Sequence, residues 1–255
     1  MCLILLAIGA HPDYPLLIAA NRDEYYQRPT AKAGFWKDHP HILAGRDLEC
    51  MGTWLGVTRK GRFAALTNFR DGRERKIDAP SRGELVSGML TSEQEPLAFL
   101  EEVAKQAQCY NGFNFLAGDS SSVYFFSSRT GAVQSVSQGI HGLSNHLLDT
   151  PWPKVTRGKQ RLQAVLEDEP SVEALLDLLQ DRETAAENEL PDTGIGVAME
   201  RVLSPALIVS PQYGTRATTA VLFGRDGGVT FSERTILRGG ETGATVSLRF
   251  NLSYT

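Results

Sequence analysis

The sequence has no excess of basic residues: 26 Lys and Arg stand against 30 Asp and Glu, a formal net charge of −4. That balance offers no positive stripe for nucleic acid and no polybasic patch for an anionic membrane, so neither partner is expected. Cysteine is scarce, at three in 255 residues. Cys2, Cys50 and Cys109 are odd in number and lack metal-ligand spacing, which argues against a disulfide framework or a zinc site and fits a reducing, cytoplasmic setting. No apolar run approaches the about 20 residues of a membrane helix. The opening "MCLILLAIGA" has no Lys or Arg before its apolar stretch and is broken by "HPDYP", so it reads as a strand rather than a signal peptide. Repeats, low-complexity blocks and long linkers are also missing, and residues 1–255 are expected to form one domain.

What is present is an ordinary core-forming composition, 42% hydrophobic, arranged in alternating classes of element. The runs Leu3 to Ile8 and Leu16 to Ala20, separated by a turn rich in Pro and Asp, predict a hairpin. "HILAGRD", "GTWLGVT" and "GRFAALTNF" extend the β pattern. Helices are expected over Ser81 to Leu90 and in "TSEQEPLAFLEEVAKQAQ", where Ser92 and Glu95 have the spacing of a capping box. Strands resume in "GFNFLAGD", "SVYFFSS", "GAVQSV" and "GIHGLSN", followed by helices from Lys154 to Glu167 and from Ser171 to Leu179. The acidic stretch Asp181 to Ser204 reads as a mobile loop or lid, and three further strands close the chain. This order implies an α+β sandwich, two sheet layers with helices outside.

Cys2 follows the initiator Met and is small enough for that Met to be removed. One residue would then carry a thiol and an α-amine whose ordinary pKa is about 7.7–8.0, which can serve as the thiol's own general base. Other chemistry-bearing residues stand near strand ends: "NRDE", with Asn21, Arg22, Asp23 and Glu24; Asn68 in "ALTNF"; Asn145 in "GLSNH"; and Arg216 in "YGTRATT". Such groups suit an oxyanion and a thiolate or substrate carboxylate. Strand periodicity would put Asn21 with Asp23 on one face and Arg22 with Glu24 on the other, so one pair is expected to line the Cys2 pocket while the other anchors neighbouring elements.

"ANRDE", "GTWLG", "ALTNF", "SRGELV", "NGFNF", "GLSN", "TPWPK", "YGTR" and "VTFSER", in that order, resemble the NRDE family, also called the transport-and-Golgi-organization protein 2 family. The resemblance implies the four-layer αββα sandwich of the N-terminal-nucleophile hydrolase superfamily. Relatives there include bile-salt hydrolases and penicillin V acylases, which cleave amides with a Cys exposed by Met removal. By that likeness Cys2 matches the nucleophile, Asn68 and Asn145 the two oxyanion asparagines, and Arg216 a late arginine beside the nucleophile. The early pair departs from the pattern, since those hydrolases separate Arg and Asp by two residues whereas Arg22 and Asp23 are adjacent.

Two functions follow from the resemblance. The first is an intracellular ligand-binding protein for a small amphipathic anion, haem in a trafficking role or acyl-coenzyme A, with haem bound non-covalently because no "CxxCH" occurs. Trp36, Trp54, Phe69 and Trp152 with Arg22, Arg70 and Arg216 could supply a haem slot, although most of these aromatics are expected in the core and most of these arginines in surface ion pairs; His11, His39, His41, His141 and His146 are the candidate iron ligands, with His39 and His41 expected in a solvent-facing loop. The alternative is a Cys2-dependent hydrolase of a small amide or thioester, which requires no cofactor and no metal. A structural module of the secretory pathway ranks behind both, because the sequence carries no lipidation or retention signal.

Overall fold

In the computed structural model, which describes residues 2–74 and 76–253, the chain begins with the expected hairpin. β1 (Cys2–Ile8) pairs antiparallel with β2 (Leu16–Tyr25), in register from Cys2 opposite Arg22 to Ile8 opposite Leu16. β2 is longer than the apolar run suggests: it continues through all four residues of "NRDE", because its other edge is held by β11 (Tyr213–Phe223) as far as Tyr25. The first sheet has the order β10 (Gly139–Leu143), β1, β2, β11, β12 (Gly228–Ile236), β13 (Thr242–Asn251). The second is a seven-stranded meander: β3 (Thr30–Phe35), β4 (Ile42–Asp47), β5 (Leu55–Thr58), β6 (Phe63–Asn68), β7 (Phe113–Gly118), β8 (Val123–Ser127) and β9 (Val133–Ser135).

Two-residue periodicity sorts the strand side chains into layers. Ile4, Leu6 and Ile8 of β1 and Leu16, Ile18 and Ala20 of β2 meet Leu43, Val57, Phe63, Leu116 and Phe125 of the second sheet. The intervening Leu3, Leu5, Ala7, Leu17 and Ala19 pack outward on Val155 and Leu162 of α3 (Pro153–Glu167) and on Leu175 and Leu176 of α4 (Val172–Asp177). On the far side, Leu85, Val86 and Met89 of α1 (Gly83–Thr91) and Leu100 and Val103 of α2 (Pro96–Gln106) cover Ala64, Phe113 and Phe115. The layers run helix, sheet, sheet, helix: the αββα sandwich of the α+β class.

Three local features depart from expectation. Ser92 and Glu95 do not form a capping box: the Ser92 amide instead bonds back to Gly88 O at the end of α1, and α2 starts at Pro96. Proline drives the residue before it out of the helical region, and Glu95 is extended with ψ 144°. The edge strand β3, "TAKAGF", lacks the apolar alternation that marks a strand in sequence. The segment expected as a lid carries a short helix, α5 (Val197–Val202), and is stitched to the body by Leu207 N–H to Asp181 O at 2.8 Å and by Arg157 Nε to Asp181 Oδ2 at 3.1 Å.

Leu5 is fully buried beneath α3, where Gly158 has no side chain because a Cβ there would stand 2.9 Å from Leu5 Cδ1. Leu5→Ala is expected to lower unfolding stability by about 2–5 kcal/mol, measured by denaturant titration. A loss under about 1 kcal/mol, the size of a surface change, would contradict this packing.

Candidate functional site

β2 lies between two strands and is covered on both faces, so its alternation decides what "NRDE" does. Asn21 points toward the helices with Leu17 and Ala19. Its Nδ2 donates to Leu179 O at 3.0 Å and Ala206 O at 2.8 Å, and its Oδ1 accepts from Thr218 Oγ1 at 2.8 Å. Every polar atom of that amide ties the sheet to the outer layer, and Asn21 is absent from the cavity described below. Asp23, on the same face, accepts from Thr215 Oγ1 at 2.7 Å. Burial raises its carboxyl above the usual range, opposed by Lys154, the Thr215 hydrogen bond and Arg22.

Arg22 and Glu24 take the opposite face and open into a cavity of about 690 Å³ between the sheets. Register lines up Cys2, Arg22, Ala217 and Thr235 in one row across four adjacent strands, and all four line the cavity. The pairing of β2 with β11 shifts between Thr215 and Ala217, which leaves Arg216 in a bulge, the irregularity that re-aims a side chain. Its guanidinium donates to Tyr25 O at 3.0 Å and Arg28 O at 2.8 Å and forms no ion pair among the described residues.

Cys2 is 7% exposed at the head of the row. Burial pushes its thiol up, while the Asp23 backbone N–H and Arg22 act in the opposite direction. A further cation enters from the turn before α1. Arg82 Nη1 donates to Gly112 O at 2.9 Å, and this guanidinium lines the cavity without a carboxylate partner among the described residues. Burial lowers its pKa, and Cys2 is the first charge that opposes this. Arg22 donates to Thr30 Oγ1 at 3.2 Å, and its one ion pair among the described residues is a long contact of 3.9 Å with Glu24, whereas Arg28 is neutralised by Asp47 at 2.7 Å and Glu49 at 3.4 Å.

The two asparagines separate. Asn68, the last residue of β6, lines the cavity, and its side-chain amide makes no hydrogen bond among the described residues. Asn145 is fully buried behind it, outside the lining, with Nδ2 donated to Asn68 O at 3.0 Å. Its neighbour Ser144 donates from Oγ to Cys2 O at 3.2 Å and accepts Thr67 Oγ1 on its own carbonyl at 2.6 Å. Asn145 therefore supports the wall in which Asn68 is set. Of the eight residues expected, Cys2, Arg22, Asp23, Glu24, Asn68 and Arg216 converge on one cavity, and Asn21 and Asn145 hold its frame.

The residues named for a haem slot are not brought together. Trp54 lines the cavity with Arg22 and Arg216. Phe69 and Trp152 flank His146 at ring distances of 5.0 and 5.8 Å, with Arg70 4.5 Å over Trp152, in a separate cluster. Trp36 packs under the helices of the second sheet and donates Nε1 to Ala44 O at 3.2 Å. None of the five histidines lines the cavity. His141, for example, is committed to Asp149 at 2.7 Å.

Three residues that read as ordinary charges in the sequence are functional candidates in the structure. Arg82 and Glu233 line the cavity. Lys154, 2% exposed, donates Nζ to Leu203 O at 3.0 Å and feels Asp23 and Cys2. They sit in "SRGELV", "VTFSER" and "TPWPK", so an order-preserving motif is their only signal in the sequence. Next to Lys154, Arg70 and Glu200 form a buried ion pair at 2.9 Å.

Burial lowers the Lys154 pKa from 10.5 to about 8. Between these values the unfolded chain binds more protons than the folded one, so Lys154 makes stability rise as pH increases from about 8 to about 10.5. Lys154→Met should remove that rise, on the order of 3 kcal/mol by the usual conversion, in denaturant titrations across this range. Parallel profiles for the two proteins would contradict a buried, proton-shedding Lys154.

The family model for Transport and Golgi organisation 2 matches residues 1–238. The Transport and Golgi organization 2 homolog of Mus musculus is 38% identical over 263 residues, covering 93% of this chain and 94% of the relative. The Homo sapiens homolog is 38% identical over 266 residues with the same coverage. Among solved structures, a mutant conjugated bile acid hydrolase from Clostridium perfringens superimposes with a TM-score of 0.56 at 10% identity, covering 97% of this chain and 92% of that one. That likeness concerns the fold, which is N-terminal-nucleophile-hydrolase-like. With the family model and relatives of this similarity agreeing along nearly the whole chain, the protein belongs to the Transport and Golgi organisation 2 family.

Proposed function

We propose that the cavity is an acyl-processing site in which Cys2 attacks the carbonyl of a small amide or thioester that also carries an anionic group. The observation that carries this reading is that one cavity is lined by Cys2, Asn68, whose amide makes no hydrogen bond among the described residues, Arg82, which has no carboxylate partner among them, and Arg22 and Arg216. With Met1 removed, the α-amine of Cys2 takes the thiol proton, the sulfur forms a C–S bond to the carbonyl carbon, and the oxyanion faces Asn68 and Arg82. Collapse breaks the amide or thioester bond, and the amine or thiol leaves with the proton from the α-ammonium. Water then adds to the acyl-Cys2 carbonyl, releasing the acid and restoring the thiol. The near-neutral α-amine is suited to this shuttle, while the raised Cys2 thiol is one that needs such a base. Arg22 and Arg216, with fork-shaped donors, suit a substrate carboxylate or phosphate.

The reading of an amphipathic anion carrier is favoured by the same cavity arginines together with Trp54 and Leu66 in the lining. The cavity arginines are the groups that would meet the acidic ends of haem or acyl-coenzyme A in this reading. It does not fit histidine-ligated iron, since every histidine lies elsewhere.

Intact mass and turnover of the purified protein separate the two. Loss of Met1, hydrolysis of a carboxylated thioester, no turnover in Cys2→Ala and a fall of about 10- to 100-fold in kcat/KM for Arg82→Gln are expected for the acyl-processing site. Retained Met1, or undiminished turnover in Cys2→Ala, would contradict it. Binding of haem or acyl-coenzyme A that survives Cys2→Ala, without turnover in either protein, would favour the carrier.

A further inference from the structure

The cavity extends well beyond Cys2. Its row of Cys2, Arg22, Ala217 and Thr235 spans three strand spacings, about 14 Å at roughly 4.8 Å each. Two residues further along β12, on the same face as Thr235, stands Glu233, 7% exposed and also in the lining. One of its oxygens, Oε1, accepts from Ala33 N–H at 2.8 Å, a donor left over where β3 and β4 lose register between Ala31 and Gly34. That bond latches the first sheet to the edge of the second. The other oxygen, Oε2, receives no hydrogen bond among the described residues. It is left open by Gly45, also in the lining, where a Cβ would stand 3.2 Å from Oε2. A carboxyl so enclosed, with one oxygen unanswered, invites a hydrogen-bonding partner.

We propose that Glu233, with Thr235, forms a distal subsite that takes a hydroxyl group at the far end of a ligand whose near end lies against Cys2. The proposal rests on the acyl-processing reading of Cys2 and adds to it the length and terminal chemistry of the substrate: an elongated acyl compound with a distal hydroxyl. The surrounding charges select that chemistry. Lys32 and Arg22 act on Glu233 and disfavour an ammonium; Glu233 itself disfavours a carboxylate when ionised. A hydroxyl can donate to the ionised carboxyl or accept from the protonated one, and burial raises the pKa of Glu233.

The test uses chloroacetamides bearing a chain of roughly ten bonds, matched to the about 14 Å span, and ending in hydroxyl, methyl or ammonium. The Cys2 thiolate displaces chloride: a C–S bond forms, the C–Cl bond breaks, chloride leaves and the thiol proton passes to buffer. Labelling of Cys2 is followed by peptide mass. The hydroxyl-ended reagent should label about tenfold faster than the methyl-ended one, the worth of one net hydrogen bond, and the ammonium-ended reagent no faster than the methyl-ended one. Glu233→Leu should abolish the preference. Gly45→Ala, which sets a methyl 3.2 Å from Oε2, should abolish it as well. Glu233→Gln should keep it, because an amide still offers a group that a hydroxyl can meet. Equal rates for the three reagents, or a preference that survives both Glu233→Leu and Gly45→Ala, would overturn the subsite and leave the reading of Cys2 intact. Failure of all three, and of a short chloroacetamide, to label folded protein would overturn both.

Discussion

The structure depends on the pairing of β2 with a strand on each side while packed layers cover both of its faces. A strand held in that way has no free rotation about its axis, so adjacent side chains must go to opposite layers. "NRDE" is therefore not one cluster of four polar groups. Asn21 serves the helical layer and Arg22 and Glu24 the space between the sheets, while Asp23 is held by Thr215 and also lines the cavity, its backbone N–H reaching Cys2. A slip of one residue would bury Arg22 among aliphatic side chains and leave the carbonyls of Leu179 and Ala206 without the Asn21 amide, so the motif also fixes the register on which the Cys2 row relies.

The buried charges around this strand show how an enclosed polar site is kept in an otherwise apolar sandwich. Arg70 and Glu200 face each other at 2.9 Å, Glu200 also accepts Thr193 N–H at 2.9 Å, and Trp152 lies beneath the guanidinium. Removing one partner of such a pair costs more than the pair itself contributes, because the other charge stays behind. The pair joins the end of β6 to the segment carrying α5, and the Arg70 N–H bonds Asn145 O at 2.8 Å. The outer segment, the asparagine wall and the Cys2 hairpin are thus one connected network. In contrast, Arg82 and Arg216 face the cavity with only backbone carbonyls as hydrogen-bond partners among the described residues, which leaves positive potential where an anion would sit.

Much of this arrangement is legible in the residues. Apolar periodicity locates the hairpin, α3 and α4, and Ser171 caps α4 by accepting Ala174 N–H at 3.1 Å. Alternation along "NRDE" separates Asn21 from Arg22 and Glu24, but does not foretell that Asp23 lines the cavity too. What cannot be read are the features decided by distant partners. Strand β3 is held by β4 and by Glu233 rather than by its own pattern. Ser92 and Glu95 have the spacing of a cap, but Pro96 starts the helix instead. Asn145 looks like Asn68 in sequence, yet lies outside the cavity lining, with its amide donated to the Asn68 carbonyl. Of the aromatics named for a haem slot, Trp54, Trp36 and Trp152 pack with three different core clusters, the core role expected for most of them.

The central claim is that Cys2 is the nucleophile of an inter-sheet acyl site, and the most direct measurement is a search for its covalent intermediate. Rapid mixing of Met1-free protein with excess carboxylated thioester, acid quenching and peptide mass analysis would locate any acyl group. An adduct on the peptide that begins at Cys2, released by hydroxylamine and absent when Met1 is retained, is the expected result. An adduct confined to Cys50 or Cys109, both exposed, or turnover without any acyl group on Cys2, would contradict it.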